Sequence, residues 1–283
     1  MNITNEQDTA QRVDVLLARA NPSYSRAALA KLFDLGKIVK GEKVLRAGDK
    51  IQPGLSFSAD ISPINAPAEE IDMPILYEDE NVIVVDKPTG VISHARGKYW
   101  DEASVASFIR TRVADLSGER AGIVHRLDRA TSGVMICAKN PETMSFLQKQ
   151  FSQHKTKKEY VAVVKGIVEP SEATIDVPLG RNPKNPKTFM ADSSGKPSQT
   201  YYNVLKQGKG RALLQLKPQT GRTHQIRVHM HYIKHPILGD ELYEGEPAER
   251  LFLHAKSLEI TLPGGKRTVF ESPVPTSFEK QVV

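Results

Sequence analysis

The chain has 283 residues, with 39% hydrophobic and 25% charged side chains, which excludes a wholly disordered chain. Its net charge of +6 fits an RNA-binding protein or an ordinary basic enzyme and does not choose between them. A single cysteine, Cys137, excludes an intramolecular disulfide and a Cys-rich zinc site and fits a reducing compartment. The polar N-terminus lacks the apolar core of a signal peptide, and no apolar run approaches ~18 residues. The expected location is therefore cytoplasmic.

The charge is uneven along the chain. Residues 11–60 carry net +4, residues 61–86 net −7, and residues 87–283 net +11. Two basic bodies are joined by an acidic stretch. Pro63 and Pro67 sit in a segment poor in apolar residues, which reads as a linker over 63–72.

In the first body, Val13, Leu16, Leu17 and Ala20 have helical spacing, and Asn21-Pro22 stops the helix. Ser25 is a suitable N-cap for a second helix through Leu29, Leu32 and Phe33, ended at Gly36. Short strands follow, with turns at Lys40-Gly41 and Gly48-Asp49. Arg26, Lys31 and Lys37 project from the second helix and its end. Taken alone, they are an ordinary solvated face.

The second body alternates strands and helices. Asn81 to Val85 reads as a buried strand ended by Lys87-Pro88-Thr89-Gly90. Asn140-Pro141-Glu142 starts a helix that should reach about His154. Strands are expected at Tyr160–Val164, Thr200–Leu205 and Ala212–Leu216. This mixture predicts an α+β fold with a mixed, largely antiparallel central sheet flanked by helices.

The familiar nucleotide motifs are missing. Gly90 and Gly97-Lys98 do not make a phosphate loop, and Tyr99 stands where Ser or Thr belongs. No Gly-x-Gly-x-x-Gly opens a helix, and no Gly-x-Ser-x-Gly elbow is present. His224, His229, His231 and His235 crowd into twelve residues. A metal site is the sharp reading. His229 and His231 fall on different helix faces, however, and Pro236 ends any helix that would align His231 with His235. Surface or RNA-facing histidines are the expected alternative, with no metal.

The most informative segment is Ala121 to Gly133, where Asp128 stands close to Arg126 and Arg129. Neighbouring arginines hold a carboxylate ionised. An ordinary turn with local ion pairs would look the same. A second basic cluster runs from Thr220 to Met230. As a helix it turns Ile226, Met230 and Ile233 inward and leaves Arg227 off the stripe, free to reach a partner. Tyr160 follows Lys155, Lys157 and Lys158, as stacking beside a phosphate backbone requires.

Together these segments resemble the RluA-type family of pseudouridine synthases. The matching residues are His125-Arg126-Leu127-Asp128 with Thr131-Ser132-Gly133, then Lys158 to Val163, then Gly221 to His229 running on to His235–Asp240. Tyr77–Glu80, Asp86–Gly90 and His94 match the family's opening segment. The resemblance spans about Met73 to Pro275; Ala95 departs from the proline many members carry. The first body resembles the S-four-like (αL) RNA-binding module of a ribosomal small-subunit protein, through Arg12-Val13-Asp14, Leu16-Leu17, Ser25-Arg26 and Gly36–Val39. The implied domains are a module at 11–62, a linker at 63–72 and a catalytic domain at 73–283.

The resemblance implies cofactor-free isomerisation of uridine to pseudouridine in RNA, with large-subunit ribosomal RNA the expected target and transfer RNA the alternative. It implies that Asp128 is the essential carboxylate, as nucleophile or as base. Arg227 would pair with Asp128, and Tyr160 would stack on the uracil with Leu253 lining the pocket. Arg126 would fill the space left by a flipped nucleotide, and Arg129, Arg222 and His224 would contact RNA. Arg26, Lys31 and Lys37 would do so from the module. A monomer without obligate protein partner is expected. Two other classes compete: a non-catalytic ribosome-assembly protein, for which Asp128, Tyr160 and Arg227 would be needless, and a hydrolase using Asp128, which leaves the arginines unexplained.

Overall fold

The computed structural model describes residues 1–65, 70–94, 102–116, 120 and 122–283. Ala95, Gly97-Lys98 and Tyr99, which the sequence reading singled out, lie outside them.

The N-terminal body holds two helices, α1 (Val13–Ala20) and α2 (Arg26–Asp34). The Ser25 hydroxyl caps α2 by accepting from the Ala28 amide at 3.2 Å. Gly36 follows at φ +65°, the left-handed turn that ends helices and that side chains resist. Strands Asn2–Thr4, Ser56–Ala59, Ile38–Lys40 and Lys43–Val44 form one four-stranded sheet in that order. Val13, Leu17 and Leu32 pack with Ile38, Ile51 and Phe57 in a core of this body's own. Packing begins before residue 11, because Asn2–Thr4 pairs with Ser56–Ser58. The expected linker also starts late. Ser62–Asn65 is a helical turn, and Ile64 is buried in the N-terminal core; residues 66–69 lie outside the described set.

The second body is built on a nine-stranded sheet. Its strands are β1 (Ile75–Glu78), β2 (Val82–Lys87), β3 (Ser132–Ala138), β4 (Lys157–Lys165) and β5 (Glu172–Asp176). They continue with β6 (Gln199–Gly208), β7 (Arg211–Pro218), β8 (Leu253–Thr261) and β9 (Arg267–Glu271). The order is β5-β6-β7-β4-β8-β3-β2-β1. The second edge of β8 is divided, with β3 paired at His254–Ala255 and β9 at Ser257–Thr261. Every pairing is antiparallel except β8 with β3. β3 is buried at all seven positions, so it lacks the alternation of a half-exposed strand. Cys137 lies there as a packed side chain.

Two helices flank this sheet near the site. Helix α3 (Pro141–Ser152) starts as expected, with the Asn140 side chain accepting from the Thr143 amide at 2.9 Å. Helix α4 (Gln225–Tyr232) buries Ile226 and Met230 against Leu214, Leu216 and Leu253. A short arm, Leu179–Arg181 paired with Phe189–Ala191, reaches over α4. One junction fixes the site's geometry. Gly133 has φ +114°, and a Cβ there would stand 2.2 Å from the Ala255 carbonyl oxygen. Only glycine lets β3 come this close to β8, so the loop before Gly133 is held beside Leu253. No helix among the described residues is long and apolar enough to cross a membrane.

Candidate active site

Asp128 lies in the loop just before β3, and backbone carbonyls anchor that loop on both sides of it. Ser93 donates to the Leu127 carbonyl at 2.8 Å and accepts from its amide at 3.0 Å. Thr89 donates to the Ala130 carbonyl at 2.9 Å. Lys87 donates to the carbonyls of Pro88, Val91 and Arg129 at 2.8, 2.7 and 3.2 Å. Its side chain is fully buried. Burial pushes the Lys87 ammonium down to about 7, with the Asp128 charge opposing the shift. Three carbonyls around one amine tie both strands of the loop together.

The cation facing Asp128 comes from α4. Arg227 Nη1 lies 3.6 Å from Asp128 Oδ2. Its other nitrogens are committed elsewhere: Nε and Nη2 donate to Asp240 at 2.7 and 2.6 Å. Arg227 and Asp240 are both buried. Arg227 thus reaches two carboxylates, and it is Asp240, not Asp128, that holds two sides of the guanidinium fork. Burial works against the Arg227 charge, but the Asp240 hydrogen bonds and charge outweigh it and hold the pKa up. The guanidinium also lies over the Tyr243 ring, 5.0 Å from its centre. Gly239 makes room for this arrangement. It has φ +81°, and a Cβ would collide with the Arg250 carbonyl at 1.8 Å.

His224 completes the surroundings of Asp128. Its Nε2 is 3.7 Å from Asp128 Oδ2, and its Nδ1 is 2.8 Å from the Tyr243 hydroxyl. Burial drives its pKa down, against the pull of Asp128. Burial thus favours the neutral ring, and a ring that accepts from Tyr243 at Nδ1 turns its Nε2 proton to the carboxylate. The Tyr243 oxygen also accepts from the Phe189 amide at 2.9 Å, so the arm steadies this chain. His224 has φ +57°, in the left-handed region that non-glycine residues enter at some cost.

These groups open on a cavity of about 670 Å3, lined by Asp128, Arg227, His224, Arg126, Tyr160 and Leu253 among others. That volume suits a nucleoside-sized ligand. Tyr160 rises from β4, and burial followed by the Asp128 charge pushes its hydroxyl up, so it stays protonated. Lys158, two residues before it, donates to the Thr220 carbonyl at 3.0 Å, and burial brings it down to about 8. His125 is neutral. Its Nε2 accepts from the Ile136 amide at 3.1 Å, its ring stacks on Phe151 at 4.5 Å, and burial lowers it to about 3.

The remaining expected residues divide. Arg126 is exposed and lines the cavity. Arg222 lines it too, with Nε donating to the Pro197 carbonyl at 3.1 Å. Arg129 is taken up by a two-armed ion pair with Glu102. Among the described residues no ion pair joins Asp128 to Arg126 or Arg129, so the sequence neighbours do not supply its counter-charge. His229 corrects the expectation of surface histidines. It is buried, with Nδ1 2.9 Å from Thr200 Oγ1 and Nε2 3.0 Å from the Val177 carbonyl. His235 Nδ1 bonds the Lys165 carbonyl at 2.8 Å. Arg26, Lys31 and Lys37 lie on the N-terminal body; Lys37 is 3.6 Å from Asp60.

Asp240, Tyr243, Lys87 and Gln225 carry the site without having been singled out. Gln225 Oε1 accepts from Thr220 Oγ1 and the Arg222 amide, and its Nε2 donates to Gln199 and Thr200, fixing the start of α4. The available signal was compositional: a carboxylate straight after glycine, and a polar residue at an otherwise apolar helix start.

A family model described as RNA pseudouridylate synthase matches residues 81–232, which hold the loop, α4 and the lining of the cavity apart from Leu253. The chain belongs to this family and is an RNA pseudouridine synthase, an isomerase. Among its relatives, an RNA pseudouridine synthase of Aquifex aeolicus is 40% identical over 82% of this chain and 77% of its own length. Ribosomal large subunit pseudouridine synthase D of Pseudomonas aeruginosa is 33% identical over 95% of this chain and 90% of its own. Among solved structures, human RNA pseudouridylate synthase domain containing 1 is 27% identical, with a TM-score of 0.63, over 74% of this chain and 86% of the other.

Proposed function

We propose that this enzyme isomerises uridines of large-subunit ribosomal RNA, with Asp128 as the essential carboxylate and no cofactor. The observation that carries this reading is the single cavity that gathers Asp128, Arg227, Tyr160, Leu253 and Arg126. The ribosomal target is inferred from relatives named ribosomal large subunit pseudouridine synthase D, one of which matches 95% of the chain.

The chemistry breaks the glycosidic bond to nitrogen, turns the uracil and rejoins it to the ribose through carbon. It needs neither redox change nor energy input. Whether Asp128 attacks or removes a proton, it must be ionised, and Arg227 Nη1 stands 3.6 Å away as its counter-charge. The uridine must first leave its stack, at about a few kcal/mol. Tyr160 supplies a replacement stacking surface, and the exposed Arg126 can fill the gap left in the RNA. The N-terminal body, over about residues 11–62, acts as an RNA-binding module ahead of a catalytic domain over 73–283.

The test uses RNA labelled with tritium at carbon 5 of uridine, since isomerisation releases that label. The wild-type protein releases it, and Asp128→Asn does not while retaining RNA binding. A variant with wild-type release removes Asp128 from the reaction. Mapping pseudouridine in cells with and without the protein locates the target; a change confined to transfer RNA rejects the ribosomal assignment.

A further inference from the structure

A second depression, of about 580 Å3, lies beside the Asp128 cavity. The two share His154, Lys158 and Pro218 as walls. The second is framed by the start of β4, the end of β7 and the paired ends of β8 and β9. Lys155, Lys157, Lys158, Lys217 and Arg267 line it against two carboxylates, Glu159 and Glu259.

Both carboxylates are already used. Glu259 accepts from Arg267 at 2.9 Å and lies 3.3 Å from Lys157. Glu159 accepts from Lys256 at 2.8 Å. Lys155 is exposed and Lys217 half-buried, and neither makes an ion pair among the described residues, although the Lys217 charge is felt by Glu159. No Phe, Tyr or Trp lines the depression, and His154 is its one aromatic ring among the described residues, so lysines outnumber stacking surfaces there. Lysine ammoniums are compact point charges that hold phosphate without reading sequence.

We propose that this depression is a track for the phosphodiester backbone of the RNA strand flanking the flipped uridine, with Lys155 and Lys217 as its phosphate contacts. The proposal rests on the reading that the Asp128 cavity takes that uridine. A flipped nucleotide stays covalently joined to its strand, so its flanking phosphates must leave the cavity over some wall. The wall at Lys158 opens directly onto the unpaired lysines. Lys158 then sits at the junction of the two spaces, where base and backbone part.

The experiment uses the full chain and total RNA, labelled with tritium at carbon 5 of uridine, from cells lacking the protein. Release is followed at several salt concentrations for wild type, for Lys155→Ala/Lys217→Ala, and for Lys206→Ala/Lys209→Ala as an exposed control at the end of β6 and the turn after it. Each single-strand phosphate contact contributes about 0.7 to the log–log salt slope, so losing two should make it shallower by about 1.4. kcat/KM near physiological salt should fall about tenfold, and Lys155→Arg/Lys217→Arg should restore both values. The control should match wild type. If wild type releases tritium and the alanine pair keeps its slope and kcat/KM, the track is wrong and the active-site reading stands. If wild type releases none, the active-site reading fails and the track fails with it.

Discussion

A carboxylate and a guanidinium 3.6 Å apart form a loose pair, and the tight contacts of Arg227 are to Asp240 instead. Asp240 acts through Arg227: it fixes two edges of the planar fork and leaves Nη1 aimed at Asp128. Cutting Asp240 back to alanine leaves a buried guanidinium without its main anion, which costs about 3–5 kcal/mol. Thermal unfolding should register that loss. Asp240→Asn keeps the shape but removes the charge that orients the fork. Its single-turnover tritium release should fall about a hundredfold, as a misplaced catalytic partner does. Arg227→Lys separates the two roles. It keeps a charge beside Asp240 but cannot grip it from two sides, so stability should recover further than rate. A wild-type single-turnover rate for Asp240→Asn would remove Asp240 from the positioning of Arg227.

At the scale of elements, local signals were readable where local chemistry decides the structure. Ser25 and Asn140 cap the helices that their positions predict, and Gly36 ends α2. Strands β4, β6 and β7 extend a few residues beyond their apolar cores. What was not legible depends on contacts between distant segments. Periodicity puts Arg227 off the apolar stripe but contains no information about its tight partner Asp240, thirteen residues on and beyond a turn. His229 reads as exposed for the same reason, its partners being Thr200 and Val177. Asp128 and its pairing with Arg227 were legible only through the family motifs, because the composition of the loop points to the adjacent arginines, which make no ion pair with it among the described residues. The β4 element carries its own test. Lys158 is charged below about 8 and neutral above, because burial lowers its pKa. Raising the pH through that value removes a cation at the junction of base and backbone. kcat/KM for RNA should therefore decline above pH 8, since this profile reports the free enzyme. Lys158→Arg stays charged and should flatten that limb. An unchanged limb would place the titration elsewhere.

Across the whole molecule, the modest charge of +6 conceals two basic bodies of net +4 and +11 around an acidic stretch of −7. The acidic stretch includes β1 and most of β2, so the separation is partly a feature of the sheet edge and not only of the connector. Each body has its own apolar core. Two bodies with separate cores can hold separate phosphates of one RNA. Their contributions to the salt slope should then add, because distant sites without shared partners behave independently. Arg26→Ala/Lys31→Ala/Lys37→Ala in the full chain should weaken RNA binding and make its salt dependence shallower by about 2. Combined with Lys155→Ala/Lys217→Ala, the reductions should sum. Equilibrium binding of total RNA over a salt series measures all three proteins together. A combined slope no shallower than that of either set alone would mean that both surfaces compete for the same phosphates, and the picture of two independent grips on one strand would have to be abandoned. A triple variant with the wild-type slope would instead remove the N-terminal body from RNA contact and leave binding to the nine-stranded domain.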